Sequence, residues 1–86
     1  MYYTYVLYSP SFSKIYVGQT GNMNQRLETH NSIENTDWTR RYQPWNLIYY
    51  EEFNSRTEAM KRENSLKSAK GRLFVWGLVK KISEKP

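Results

Sequence analysis

The sequence predicts a small α/β chain of the α+β kind, an antiparallel sheet of three strands covered by helices. Three observations carry that expectation. Aromatic and β-branched residues concentrate in short runs, as strands prefer. At Asn22 and Ser55, a residue that suits a helix cap is followed three positions later by Gln or Glu, the signature of a capped helix start. With 86 residues the chain has room for one core, so all these elements must share it.

Residues 2–8 form the first strand. The next stretch, Ser9-Pro10-Ser11-Phe12-Ser13-Lys14, is rich in turn formers, and residues 15–18 return as its hairpin partner. A regular hairpin sets Tyr8 opposite Ile15 and Tyr5 opposite Gly18. Two-residue alternation then gathers Tyr3, Tyr5, Leu7 and Tyr16 on one face, an arrangement that a bulge would undo. After Gln19-Thr20-Gly21, Asn22 caps a helix over residues 23–31, where Met23, Leu27 and His30 repeat at helical spacing. Residues 31–46 show no periodicity but hold Trp38, Arg40, Arg41, Pro44 and Trp45, which predicts a long ordered loop. Residues 47–53 are the third strand. Ser55 and Glu58 then open a helix over residues 56–69, which Lys70-Gly71 is expected to break. A last helix begins near Leu73 and is weakened by Gly77. One domain is expected over residues 1–86, with its core in residues 2–82 and frayed last residues.

The formal net charge is +5, and the eight Lys and Arg from Lys61 onward face only Glu63 and Glu84. Such a balance biases partners toward polyanions, although it also suits a merely solvated surface. The absence of cysteine excludes disulfides and thiolate zinc sites, and a single histidine excludes a multi-histidine one. Any metal must rest on oxygen, which favours magnesium or manganese. No secretory signal pattern and no apolar run of membrane-spanning length is present, so a cytoplasmic protein without membrane contact is expected.

Several polar residues stand where the pattern expects apolar ones. Glu63 falls on the apolar stripe of its helix with Ala59, Met60 and Leu66, where a carboxylate needs a partner or a cation. The plain alternative is an ion pair with Lys67 one turn further on. Arg26 and His30 lie one turn apart and can converge. A guanidinium offers a phosphate two parallel donors, and an imidazole can orient a hydroxyl or move a proton. Both also suit a helix end without any chemistry. Tyr5 and Tyr16 taken singly are ordinary sheet aromatics, and Gly18 permits close approach by a ligand or another backbone.

Taken together, Tyr3-Thr4-Tyr5, Tyr16-Val17-Gly18, Arg26, His30 and Glu63 resemble the GIY-YIG nuclease domain over residues 2–82. The segments Tyr16-Val17-Gly18-Gln19-Thr20 and Arg26-Leu27-Glu28-Thr29-His30-Asn31 are closest to its small stand-alone bacterial members. These are similar to the N-terminal nuclease domain of an excinuclease. The resemblance implies a three-stranded antiparallel sheet with flanking helices and one Mg2+ or Mn2+ ion held mainly by Glu63. It implies that Tyr5 or Tyr16 is general base or orients the attacking water. A phenol, with an unperturbed pKa of about 10, then needs nearby cations to lower that value. By the same resemblance Arg26 meets the scissile phosphate and His30 helps polarise the nucleophile. Gly18, Thr20, Arg40 and Lys67 are expected to line the substrate. The first tripeptide carries Tyr3 in place of glycine, and no asparagine follows Asn64, so Lys67 or another group must replace one that completes many such sites.

The expected function is therefore metal-dependent hydrolysis of DNA phosphodiesters in repair or recombination. No small-molecule cofactor is expected, and the protein is expected to be a monomer or weak homodimer. A non-catalytic nucleic-acid-binding module and a scaffold subunit are the competing readings.

Overall fold

A computed structural model describes residues 1–83. The expectation of a frayed terminus falls on residues 84–86, outside the described residues. Strands β1 (Tyr2–Ser9) and β2 (Lys14–Thr20) pair antiparallel, with Tyr8 opposite Ile15 and Tyr5 opposite Gly18, as expected. Strand β3 (Asn46–Phe53) pairs with the other edge of β1, giving the order β2-β1-β3. An irregularity does occur, but on this second pairing, between Val6 and Leu7. The hairpin that aligns the tyrosines is regular.

Strand alternation divides the core into two layers. Tyr5 and Leu7 face Trp45, together with Tyr16 and with Met23 and Leu27 of helix α1 (Met23–Asn31). Val6 and Val17 face the opposite way. There they meet Leu66 of α2 (Arg56–Lys67) and Val75 of α3 (Ala69–Ser83). Thr4, also on this second face, is fully buried and donates its hydroxyl to the Ala59 carbonyl at 2.6 Å. Asn22 and Ser55 accept from Gln25 N–H and Glu58 N–H as their positions predict.

Two boundaries differ from expectation. The break between the last helices lies at Ser68, and Gly71 sits inside α3. The Ser68 hydroxyl donates to the Ser65 carbonyl, ending α2, and accepts from Gly71 N–H, starting α3. A Cβ at Gly71 would lie 2.1 Å from the Ser65 carbonyl oxygen, so this glycine permits helix contact and breaks nothing. Within the expected loop, Trp38–Tyr42 form a 3-10 turn capped by Asp37. No helix among the described residues is long and apolar enough to cross a membrane.

Candidate active site

The site begins with Tyr5 at the middle of the central strand. Its side chain is fully buried and lies across Gly18, where a Cβ would stand 2.6 Å from the phenol oxygen. The close approach that Gly18 permits is therefore that of Tyr5. The phenol oxygen lies 3.0 Å from His30 Nε2 and accepts a hydrogen bond from Arg26 Nε at 3.3 Å. Helix α1 thus delivers Arg26 and His30 to one atom from consecutive turns. Burial pushes the Tyr5 phenol well above its ordinary value, although the hydrogen bond from Arg26 opposes it. This is opposite in direction to the lowering that a general base needs. The same bond holds the Arg26 guanidinium in its charged form. The Tyr16 hydroxyl is a second, weaker partner of the same guanidinium.

Tyr16 occupies a different position. It is half-buried, packed on the His30 ring at 4.7 Å between centroids and on the exposed Trp38 at 5.9 Å. It opens on a cavity of about 490 Å3 that runs along the free edge of β2. Lys14, Lys67 and Arg72 line this cavity with Trp38 and Trp76, so three cations and two aromatic side chains share its lining with Tyr16.

His30 is fully buried. Burial first, and then the charge of Arg26, push its pKa below the ordinary value, while Asp37 opposes them. The unfolded chain therefore takes up this proton more readily than the folded one. His30 should add nothing to pH dependence above about 6.5 and should cost stability as pH falls below that value toward its folded pKa. Thermal midpoints between pH 7 and pH 5 should fall more steeply in wild type than in His30→Gln. Parallel slopes would show that His30 carries no such linkage.

Glu63 projects from α2 with its side chain 20 % exposed and accepts from Lys67 Nζ at 2.6 Å. The ion pair anticipated as the plain reading is thus formed. Lys67 also lines the cavity beside Tyr16 and so links the carboxylate to it. Among the described residues, no group of three or more His, Asp and Glu converges. Gln19 stands on the β2 face that α2 covers, and its Oε1 is buried without a hydrogen-bond partner.

Two expected substrate contacts stand elsewhere. The Thr20 hydroxyl is engaged with the backbone of Asn22, accepting from its N–H at 3.1 Å, and so shapes the entry to α1. Arg40 is exposed on the 3-10 turn and does not line the cavity.

Residues that sequence reasoning passed over hold the far side of His30. Its Nδ1 lies 3.1 Å from Thr39 Oγ1, which donates to Asp37 Oδ1 and accepts from Asn35 Nδ2 at 2.7 Å. Asn35 also donates to the His30 carbonyl, and Gln43 Nε2 donates to the His30 and Ser32 carbonyls. Asn31 clamps the Trp45 backbone through both its amide atoms. The density of Asn, Asp, Thr and Gln in an aperiodic stretch was the available signal.

A family model described as the GIY-YIG catalytic domain matches residues 1–77. The chain is 36% identical over 67 residues to a UPF0213 protein of Staphylococcus haemolyticus, covering 78% of this chain and 80% of that one. A UPF0213 protein of Streptococcus agalactiae is 43% identical over 61 residues, 71% of this chain and 68% of that protein. Among solved structures, the solution NMR structure of a UPF0213 protein from Bacillus halodurans is similar, with a TM-score of 0.52 and 28% identity. That match covers 91% of this chain and 85% of the other.

Proposed function

On the premise that the chain belongs to the GIY-YIG catalytic-domain family, we propose that it is a divalent-metal-dependent endonuclease that hydrolyses DNA phosphodiester bonds. One observation carries this reading: the hydrogen-bonded set of Tyr5, His30 and Arg26 lies directly beneath Tyr16, which faces a cation-lined cavity.

In this reading the two tyrosines divide the work. The Tyr5 hydroxyl is buried, and its pKa is raised, so it holds Arg26 and His30 in place. Tyr16 meets solvent and is the phenol that orients the attacking water or takes its proton. The Nη fork of Arg26 offsets charge that builds on the non-bridging phosphate oxygens. Lys14, Lys67 and Arg72 hold the neighbouring phosphates.

Glu63 would hold one Mg2+ or Mn2+ ion. A single carboxylate suits such an ion, because Mg2+ commonly keeps several waters and completes its shell with substrate phosphate. The unsatisfied Gln19 oxygen on the face that α2 covers adds a hard donor where no late asparagine exists. When bound, the ion supplies Lewis acidity toward the phosphate and the leaving oxygen. Lys67 must release Glu63 first, and its half-exposed side chain is free to swing.

Supercoiled, linear, single-stranded and branched DNA should be incubated with Mg2+, Mn2+ or chelator. Cleavage in both metals and none in chelator is expected, with binding that weakens steeply as salt rises. A second reading, a nucleic-acid-binding module without turnover, is favoured by the Lys67 ammonium already seated on Glu63. Binding without cleavage under every condition would establish it and sink the nuclease.

A further inference from the structure

The loop network behind His30 has a defined sense. The Asn35 amide is oriented by the backbone: its Nδ2 donates to the His30 carbonyl and its Oδ1 accepts from Asp37 N–H at 2.9 Å. Asn35 therefore presents a donor to Thr39 Oγ1. Its hydrogen bond from the Thr39 hydroxyl holds the Asp37 carboxyl below its ordinary value, so at neutral pH Asp37 can only accept. The single hydroxyl proton of Thr39 is thus committed to Asp37, and one oxygen lone pair to Asn35. What remains for His30 Nδ1 is the second lone pair, an acceptor.

We propose that Thr39 and Asp37 are positioning residues that place the imidazole proton of His30 on Nδ1 and so direct the hydroxyl of Tyr5 and the guanidinium of Arg26. With the proton on Nδ1, Nε2 is an acceptor and takes the Tyr5 O–H. The phenol oxygen is then left with lone pairs only, one of which receives Arg26 Nε–H. Every proton on the path from Arg26 Nε to Asp37 then has one donor and one acceptor. In the other tautomer, Nε2–H and Arg26 Nε–H would both point at the phenol oxygen. The Tyr5 proton would then have to turn from His30 to the Tyr16 hydroxyl, and Thr39 would face a bare Nδ1 with no proton to offer it. The groups facing the imidazole from all sides are Arg26, Tyr5, Tyr16, Thr39 and, through Thr39, Asp37. Asp37 is exposed on the loop, so a surface carboxylate sets the sense of a buried chain that ends at the substrate-facing arginine.

His30 is the only histidine of the chain, so ring-nitrogen NMR reads it without ambiguity. At pH 8 and without metal or DNA, the full-length wild type should show a single neutral tautomer protonated at Nδ1. Asp37→Ala frees the Thr39 hydroxyl to turn toward Nδ1 and should give a mixed or Nε2-protonated signal. Asp37→Asn keeps an acceptor oxygen and the turn cap, and should restore the wild-type signal. Thr39→Val removes the acceptor and should disturb the tautomer as Asp37→Ala does. Cleavage by Asp37→Ala should fall on the order of tenfold and recover in Asp37→Asn. That last expectation rests on the proposed nuclease function, whereas the tautomer measurement does not, so an inactive protein would sink only the former. An Nε2-protonated wild type, or a signal unchanged in both Asp37→Ala and Thr39→Val, overturns the assignment.

Discussion

Glu63→Gln is expected to reduce metal-dependent cleavage at least a hundredfold while leaving the fold intact. The two halves of that statement have separate causes. Glu63 is the one carboxylate proposed for the cation, and glutamine keeps its length but not the charge that draws a divalent ion from water. Loss of a group that stabilises a transition state electrostatically commonly costs about 100- to 1000-fold. The fold should barely notice. The only partner of Glu63 among the described residues is Lys67, at i+4, in a pair whose lysine is half exposed. Such pairs contribute about 0.3–0.5 kcal/mol. Cleavage assays at matched protein concentration and thermal denaturation should therefore diverge sharply. Cleavage by Glu63→Gln at wild-type rates would mean that the carboxylate belongs to Lys67 alone.

The second large effect is on stability. Gly71→Ala should lower the thermal midpoint by roughly 15 °C, from about 3 kcal/mol of lost stability at about 4–8 °C per kcal/mol in a chain of this size. The added Cβ would stand 2.1 Å from the Ser65 carbonyl oxygen and 2.4 Å from Leu66 Cα. Both are backbone atoms of the last turn of α2, so no rotamer change relieves the contact. Relief requires the two helices to part, and they carry Leu66 and Val75 into the same core. Gly77→Ala is the control. Nothing lies within 4 Å of its Cβ position, and a helix-interior alanine should stabilise by about 0.5–1 kcal/mol. Circular dichroism melts of the two variants should move in opposite directions. Equal midpoints would mean that α3 does not seat on α2 at Gly71.

These two glycines show where the sequence was legible. Propensity reads the cost of a glycine but not the neighbour that demands it, so Gly71 resembled a helix break. Ser68, which both ends α2 and starts α3, carries the capping signal that marks the true joint. The hairpin was legible because a regular turn and strict alternation leave a single register once Tyr8 and Ile15 are paired. Helix spacing brought Arg26 and His30 together for the same reason. Neither could show that both meet at the buried oxygen of Tyr5, because that requires the distance from α1 to the sheet. The Asn35, Asp37 and Thr39 network lay wholly outside such patterns. Side chains that bond to neighbouring backbone have no period, and their meaning is fixed only when His30 arrives from another element. For Glu63, spacing identified the Lys67 pairing, which the structure contains, and an apolar stripe of which Ala59 and Leu66 are buried whereas Met60 is exposed.

The hydroxyl that Thr4 lends to the Ala59 carbonyl acts as an index mark between two separately formed pieces of the chain. Glu63 follows Ala59 by four residues, a little more than one helical turn. A slip of one residue along α2 would carry the carboxylate about 1.5 Å along the helix axis and about 100° around it. Thr4 stands in the first tripeptide between Tyr3 and Tyr5. That short motif therefore carries the phenol through one residue and, through the next, calibrates where a distant helix delivers its acid.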